Sequence, residues 1–317
     1  MKYSETMRLT RANLSRRRFP AGSSPRSRSG ALFPDVKPKF QLKFGRGTTV
    51  FTIGSCFARH IEEALETQGV RLPTTDFRAG PSEWAFRTNG LLNEYSPGTI
   101  AQRIRYALDG LPFSDETLIG GDDACLDLLL PAGAKPVTRS RAIERRADIG
   151  RVYENLRTAD IVIITLGLIE TWYDNVTGLF LNRMPPHGPG NDARYSFVRL
   201  DVDQCFRLLD ETLARFGGLG VKIVLTVSPV PLQMTFVDDD AITANEYSKS
   251  VLRVCAEMLR QKYEYLDYFP SYEIVRSAGI PGFGADHVHV SAHLVEMVTN
   301  AMVDAYAGIP IEAVGHR

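Results

Sequence analysis

No apolar run in this chain approaches the ~20 consecutive residues that a membrane-spanning helix needs, which excludes an integral membrane protein of that kind. Only four cysteines occur among the 317 residues: Cys56, Cys125, Cys205 and Cys255. They form no C-x-x-C pair, so neither a disulfide framework nor a zinc module is expected, and a reducing, cytoplasmic setting fits. There is no net charge, since 37 Lys and Arg balance 37 Asp and Glu, and there is no internal repeat. What remains is ordinary for a soluble globular chain, with 44% hydrophobic and 23% charged residues. The length admits one large α/β domain or two smaller ones.

The zero balance conceals an asymmetry. Residues 1–30 hold eight basic residues (Lys2, Arg8, Arg11, Arg16, Arg17, Arg18, Arg26, Arg28) against Glu5 alone, a balance of +7 that leaves −7 for the rest. Ser, Arg, Gly and Pro dominate this arm, a composition that buries too little apolar surface to order itself. The run Ser15-Arg16-Arg17-Arg18-Phe19 superficially resembles a twin-arginine export signal. The apolar segment that export needs is missing, because Pro20 to Gly30 is polar and basic. The expected organisation is a disordered basic arm over 1–46, a folded domain over 47–306 and a short tail over 307–317. The arm could contact an anionic partner, but the acidic body argues against nucleic acid.

From residue 48 the pattern changes. Thr48 to Ile53 is a β-branched run that stops at Gly54-Ser55-Cys56-Phe57, and Phe57, Ile61, Ala64 and Leu65 then recur at helical spacing. Ile161–Leu166 and Lys222–Val227 read as further buried strands, with a weaker one at Tyr265–Tyr268. Helical patterns lie at Val202–Phe216, Ala241–Lys262 and Ala292–Tyr306. Strands that are apolar throughout, alternating with helices, predict a parallel sheet covered on both faces. The polar residues ending those strands then gather along one edge, where open α/β folds place their sites. Residues 76–148 are less regular and read as an inserted, lid-like region packed on the sheet.

Ser55 sits where a strand turns into a helix, a turn that can present a hydroxyl beside free backbone N–H groups. The same position also suits an ordinary N-cap serine. Asp286-His287-Val288-His289 lies in a loop with Gly279, Gly282 and Gly284. Three residues apart, Asp286 and His289 can meet across one turn. A carboxylate on one ring nitrogen leaves the other free to take a proton from Ser55. His287 with His293 could instead suggest a metal pair, but no Cys or acidic ligands join them, so neither metal nor cofactor is expected. Cys56, at the helix N-terminus, is a rival nucleophile or an inert buried thiol.

The stretch Gly54-Ser55-Cys56-Phe57-Ala58 resembles the motif of the GSCFA domain family, a branch of the SGNH/GDSL hydrolase superfamily. The likeness runs from about residue 47 to about residue 305. It includes Thr165-Leu166-Gly167 to Glu170, Asn182 with Met184-Pro185, Thr226 to Pro231, and Asn245 with Ser248-Lys249-Ser250. The resemblance implies a three-layer α/β/α sandwich with a flavodoxin-like parallel sheet. It also implies action on esters or acyl transfer, with Ser55 as nucleophile, His289 as base and Asp286 orienting it.

Two departures stand out. The superfamily's third block reads G-x-N-D and its Asn donates to the oxyanion, but here Gly167 is followed by Leu168, Ile169 and Glu170. The Asp that precedes Ser in G-D-S is absent too. Asn89-Gly90 stands at about the spacing of the second block, so Gly90 N–H and the Asn89 amide are candidate replacements, although Asn-Gly also makes a plain turn. Glu170 either supports the site or is a structural carboxylate. The expected activity is hydrolysis or transfer of an acyl ester, of a glycan or glycolipid by the superfamily's habits. The alternative is a non-catalytic domain of the same fold that binds a carbohydrate or a protein partner.

Overall fold

The computed structural model describes residues 2–12 and 19–308. Four strands form the central sheet: β1 (Val50–Gly54), β2 (Ile161–Leu166), β3 (Lys222–Val227) and β4 (Leu266–Tyr268). All pairs are parallel, in the order β4-β3-β2-β1. Outside β1, Arg71 makes one further parallel bridge to Thr49, with the Val50 N–H donating to Arg71 O (2.9 Å). Counting that bridge as the second strand in sequence gives the order 2-1-3-4-5 of a flavodoxin-like sheet. The direction of winding reverses between β1 and β2, and open α/β sheets place their sites beyond the strand ends at such a reversal.

Alternation along each strand divides the core in two. Phe51, Ile53, Val162, Ile164, Ile223 and Leu225 face one side. There they meet α2 (Pro97–Asp109), α3 (Arg139–Glu154), α4 (Val202–Leu213) and α5 (Ala241–Lys262). Val50, Ile161, Ile163 and Val224 face the other side. That side is covered by α1 (Cys56–Glu66), α6 (Ser271–Ala278) and α7 (Ala292–Ala307). The result is the expected three-layer sandwich. Each fully buried Phe, Ile or Leu contributes about 1.5–3 kcal/mol. The helices start where the chain supplies caps: Ser96 with Thr99 at α2 and Asp201 with Gln204 at α4 form reciprocal capping boxes.

The segment 76–148 packs on the sheet, and α2 within it belongs to the layer itself, since Ile100 and Ile104 lie in the main core, as does Ile149 of α3 just beyond it. Three antiparallel strands, Glu170–Asp174, Leu179–Leu181 and Tyr195–Arg199, form a small second sheet that the sequence pattern did not announce. Packing also begins before the expected boundary at residue 47. Ala31, Phe33 and Leu42 are buried against α6 and α7, and the Leu42 N–H donates to Tyr306 O (2.9 Å). These few apolar residues were masked by the arm's polar average. Tyr3–Ala12 form a helix, whereas the arginine run at 16–18 and the tail from 309 lie outside the described residues. Among the described residues no helix is long and apolar enough to cross a membrane.

Candidate active site

β1 ends at Gly54, which adopts φ +139° and lies against β2 so closely that a Cβ would meet Thr165 O at 2.2 Å. Only glycine fits, by conformation and by space alike. The chain then turns straight into α1 with Ser55 at the cap position. The hydroxyl does not cap the helix. It donates instead to Ser228 Oγ at 3.0 Å, and Ser55 is 4% exposed. The ordinary N-cap role is therefore not the one this serine performs.

Ser228 arrives from the far side of β2. Its N–H donates to Leu166 O (2.8 Å), which carries the ladder one residue beyond β3. Since β1 and β3 flank β2, the two hydroxyls meet over the end of β2. Gly167 follows there, packed so closely on the Tyr95 backbone that a Cβ would strike Tyr95 O at 2.7 Å. Val230 N–H also donates to Ser228 Oγ (3.3 Å).

A stripe on α5 holds this edge together. Asn245 Oδ1 accepts the Leu232 N–H (3.1 Å), Ser248 Oγ accepts the Ile169 N–H (3.2 Å), and Lys249 Nζ donates to Gly167 O (2.6 Å) and Val230 O (2.7 Å). Positions 245, 248 and 249 share one helix face, so a single helix ties down the loops after both β2 and β3. Burial lowers the Lys249 pKa to about 7, opposed by the charges of Cys56 and Glu246. Burial raises the Cys56 thiol, against the pull of Lys249, which leaves little thiolate and disfavours Cys56 as the nucleophile.

Asp286 and His289 do meet. His289 Nδ1 lies 2.6 Å from Asp286 Oδ2, and Asp286 Oδ1 accepts the N–H groups of Val288 and His289 (3.0 Å each). The His289 hydrogen bond first, then these backbone donors, hold the Asp286 carboxyl well below its usual range. A depressed carboxyl keeps its partner above the ordinary carboxylate pKa and loses it only as acid protonates the folded form. The Asp286 carboxyl is thus ionised at neutral pH and engages Nδ1, while Nε2, on the other side of the ring, makes no contact with it. Among the described residues no hydrogen bond joins His289 to Ser55, and the imidazole is 67% exposed. The structure thus pairs Asp286 with His289, and Ser55 with Ser228, as two separate units.

The remaining expected site residues are engaged elsewhere. Asn89 Nδ2 donates to Glu62 Oε2 (2.7 Å), within a buried network in which Glu62 also accepts from Arg59, Thr52 and Thr74. Gly90 N–H donates to Arg87 O (2.8 Å), and a Cβ there would meet Trp84 Nε1 at 2.5 Å. Glu170 accepts from Thr235 Oγ1 (2.7 Å) and the Phe236 N–H (2.9 Å), so it anchors the 235–236 loop. Replacing Asn89 by Ala is accordingly expected to cost about 1.5–3 kcal/mol of unfolding free energy in a urea titration while leaving ester turnover unchanged. A turnover loss at constant stability would restore its role at the oxyanion.

The asparagine that does reach the end of β1 is Asn93. It bridges to Gly54, and Asn93 Oδ1 is buried without a partner among the described residues. Neither Asn93 nor Ser228 carried a catalytic signal in the sequence, although Ser228 ends a strand as Ser55 does. Lys249 had one, since it stands in register with the apolar Leu252, Ala256 and Leu259 on the buried side of α5.

A doubly wound α/β domain with a hydroxyl pair at one sheet edge and a separate Asp-His dyad is the class that fold and site define. Residues 49–302 match the GSCFA family, and the chain belongs to that family. No curated protein sequence matches it. Among solved structures it is similar to an acetylxylan esterase from Geobacillus stearothermophilus, at 16% identity over 84% of this chain and 96% of that one, with a TM-score of 0.33. A similar likeness links it to an α/β hydrolase from the metagenome of Lake Arreo, Spain, at 13% identity over 84% and 98%, with a TM-score of 0.35. A carbohydrate esterase family 2 enzyme from Corynascus thermopiles follows at 14% identity over 88% and 69%, with a TM-score of 0.33.

Proposed function

We propose that the chain cleaves or transfers an acyl group held in an ester, with Ser55 as nucleophile. The observation that carries this reading is the Ser55 hydroxyl, held at the switch point and not capping the helix it precedes. Attack joins Ser55 Oγ to the acyl carbon, His289 Nε2 takes the serine proton, and Asp286 holds the imidazolium. The proton then passes to the departing alcohol, and water or an acceptor hydroxyl releases the acyl group. Completing the triad requires Ser55 Oγ to turn from Ser228 toward the 284–290 loop. A glycan or glycolipid ester is the proposed substrate class.

Fluorophosphonate labelling with intact-mass detection tests the nucleophile. One adduct on the wild-type chain, absent from Ser55→Ala and His289→Ala, is expected. An adduct that survives Ser55→Ala would sink the assignment. The open, exposed His289 favours a second reading, a binding domain without turnover, which predicts no adduct on any folded variant.

A further inference from the structure

The position at which the third block would carry its asparagine, two residues beyond Gly167, is Ile169, a fully buried side chain. No amide donor can come from there. The turn is served from α5 instead, where Ser248 takes the Ile169 N–H and Lys249 Nζ takes the Gly167 carbonyl. Lys249 is 1% exposed, and its two carbonyl partners follow β2 and β3, the strands over whose ends Ser55 and Ser228 meet.

An ammonium carries three N–H donors. Gly167 O and Val230 O take two of them, and among the described residues no hydrogen bond takes the third. Cys56, the residue next to Ser55, and Glu246 are the ionisable neighbours that oppose the effect of burial on Lys249. A buried cation held only by neutral carbonyls is a costly way to fill space that an apolar side chain of the same length would fill. It is useful where negative charge develops beside it.

We propose that Lys249 supplies the donor that the third block lacks, its remaining N–H binding the substrate's carbonyl oxygen as Ser55 attacks. This rests on the reading of Ser55 as nucleophile. In the step, the new bond forms between Ser55 Oγ and the acyl carbon. The carbonyl π pair moves onto oxygen, and the serine proton goes to His289. Lys249 keeps its own proton and only hydrogen-bonds the oxyanion. It must therefore be charged to act. A lysine whose pKa lies at about 7 loses that charge as pH rises, so the contribution is present below that pH and lost above it.

The test is the pH dependence of kcat/KM for p-nitrophenyl acetate with the wild-type chain, Lys249→Met, Lys249→Arg and Ser55→Ala, each checked for folding by its melting curve. Wild type should lose activity on the alkaline side from near pH 7. Lys249→Met should lower kcat about 10²- to 10³-fold with KM little changed and remove that alkaline limb. Lys249→Arg stays charged throughout and should move the limb to higher pH. Wild-type kcat and an unaltered alkaline limb in Lys249→Met would overturn the assignment of Lys249 alone. Absence of Ser55-dependent turnover in the wild-type chain would overturn the nucleophile and Lys249 together. If Lys249→Met does not fold, the limb of Lys249→Arg decides: an unmoved limb overturns the assignment.

Discussion

Replacing Ser55 by Ala is expected to lower kcat/KM for an activated ester by about 10⁴- to 10⁶-fold while leaving the melting temperature close to wild type. His289→Ala should lose a comparable factor, and the double variant little more than either alone. Groups that act as one unit are not additive, because removing the nucleophile already removes the work of its base. Stability should barely change at either position. The Ser55 hydroxyl makes one neutral hydrogen bond, to Ser228, and His289 is largely exposed. The double variant decides most. Losses that multiply would mean that His289 acts on something other than the Ser55 proton, and the separation of the two units seen in the structure would then describe the working site as well.

Gly54→Ala is the substitution expected to damage the fold most, by about 3–5 kcal/mol in urea unfolding at constant m. Two costs combine. The φ of +139° is strained for any L side chain, and the new Cβ would stand 2.2 Å from Thr165 O and 2.9 Å from Thr165 C. Those atoms are the backbone of β2, which is bonded on both sides in register with β1 and β3 and cannot give way without breaking a ladder. Backbone displacement here would also part Ser55 from Ser228, so any folded fraction should show reduced activity per molecule. A loss below about 1 kcal/mol would show that β1 can move aside, contrary to the packing described above.

Much of the frame was legible because its signals are local. Ile161–Leu166, Lys222–Val227 and Ala241–Lys262 form the elements their patterns predict, with those boundaries. Each is a continuous apolar or helical run closed by clear punctuation: Gly167, Ser228-Pro229, and the polar end of a long helix. The Asp286–His289 contact was legible for the same reason, since three residues of spacing fix it within one turn. The small sheet of Glu170–Asp174, Leu179–Leu181 and Tyr195–Arg199 was not, because its strands are short and mix Trp, Tyr and Phe with charges. Their packing is decided by one another: Trp172 stacks edge-on against Phe197 and Phe236 at 5.6 and 5.4 Å.

The sequence by itself determined the sandwich, the strand-to-helix turn at Gly54-Ser55, the acid–imidazole pair and the absence of a third-block asparagine. Tertiary structure alone decided who meets whom at long range. Ser55 pairs with Ser228 across 173 residues, Lys249 reaches Gly167 across 82, and Asn89, 27 residues from Glu62, is drawn into a buried carboxylate network. Periodicity and punctuation report how a segment folds against its own neighbours. The partner of a polar side chain depends on which strand ends lie side by side, and only the order of strands in the sheet settles that.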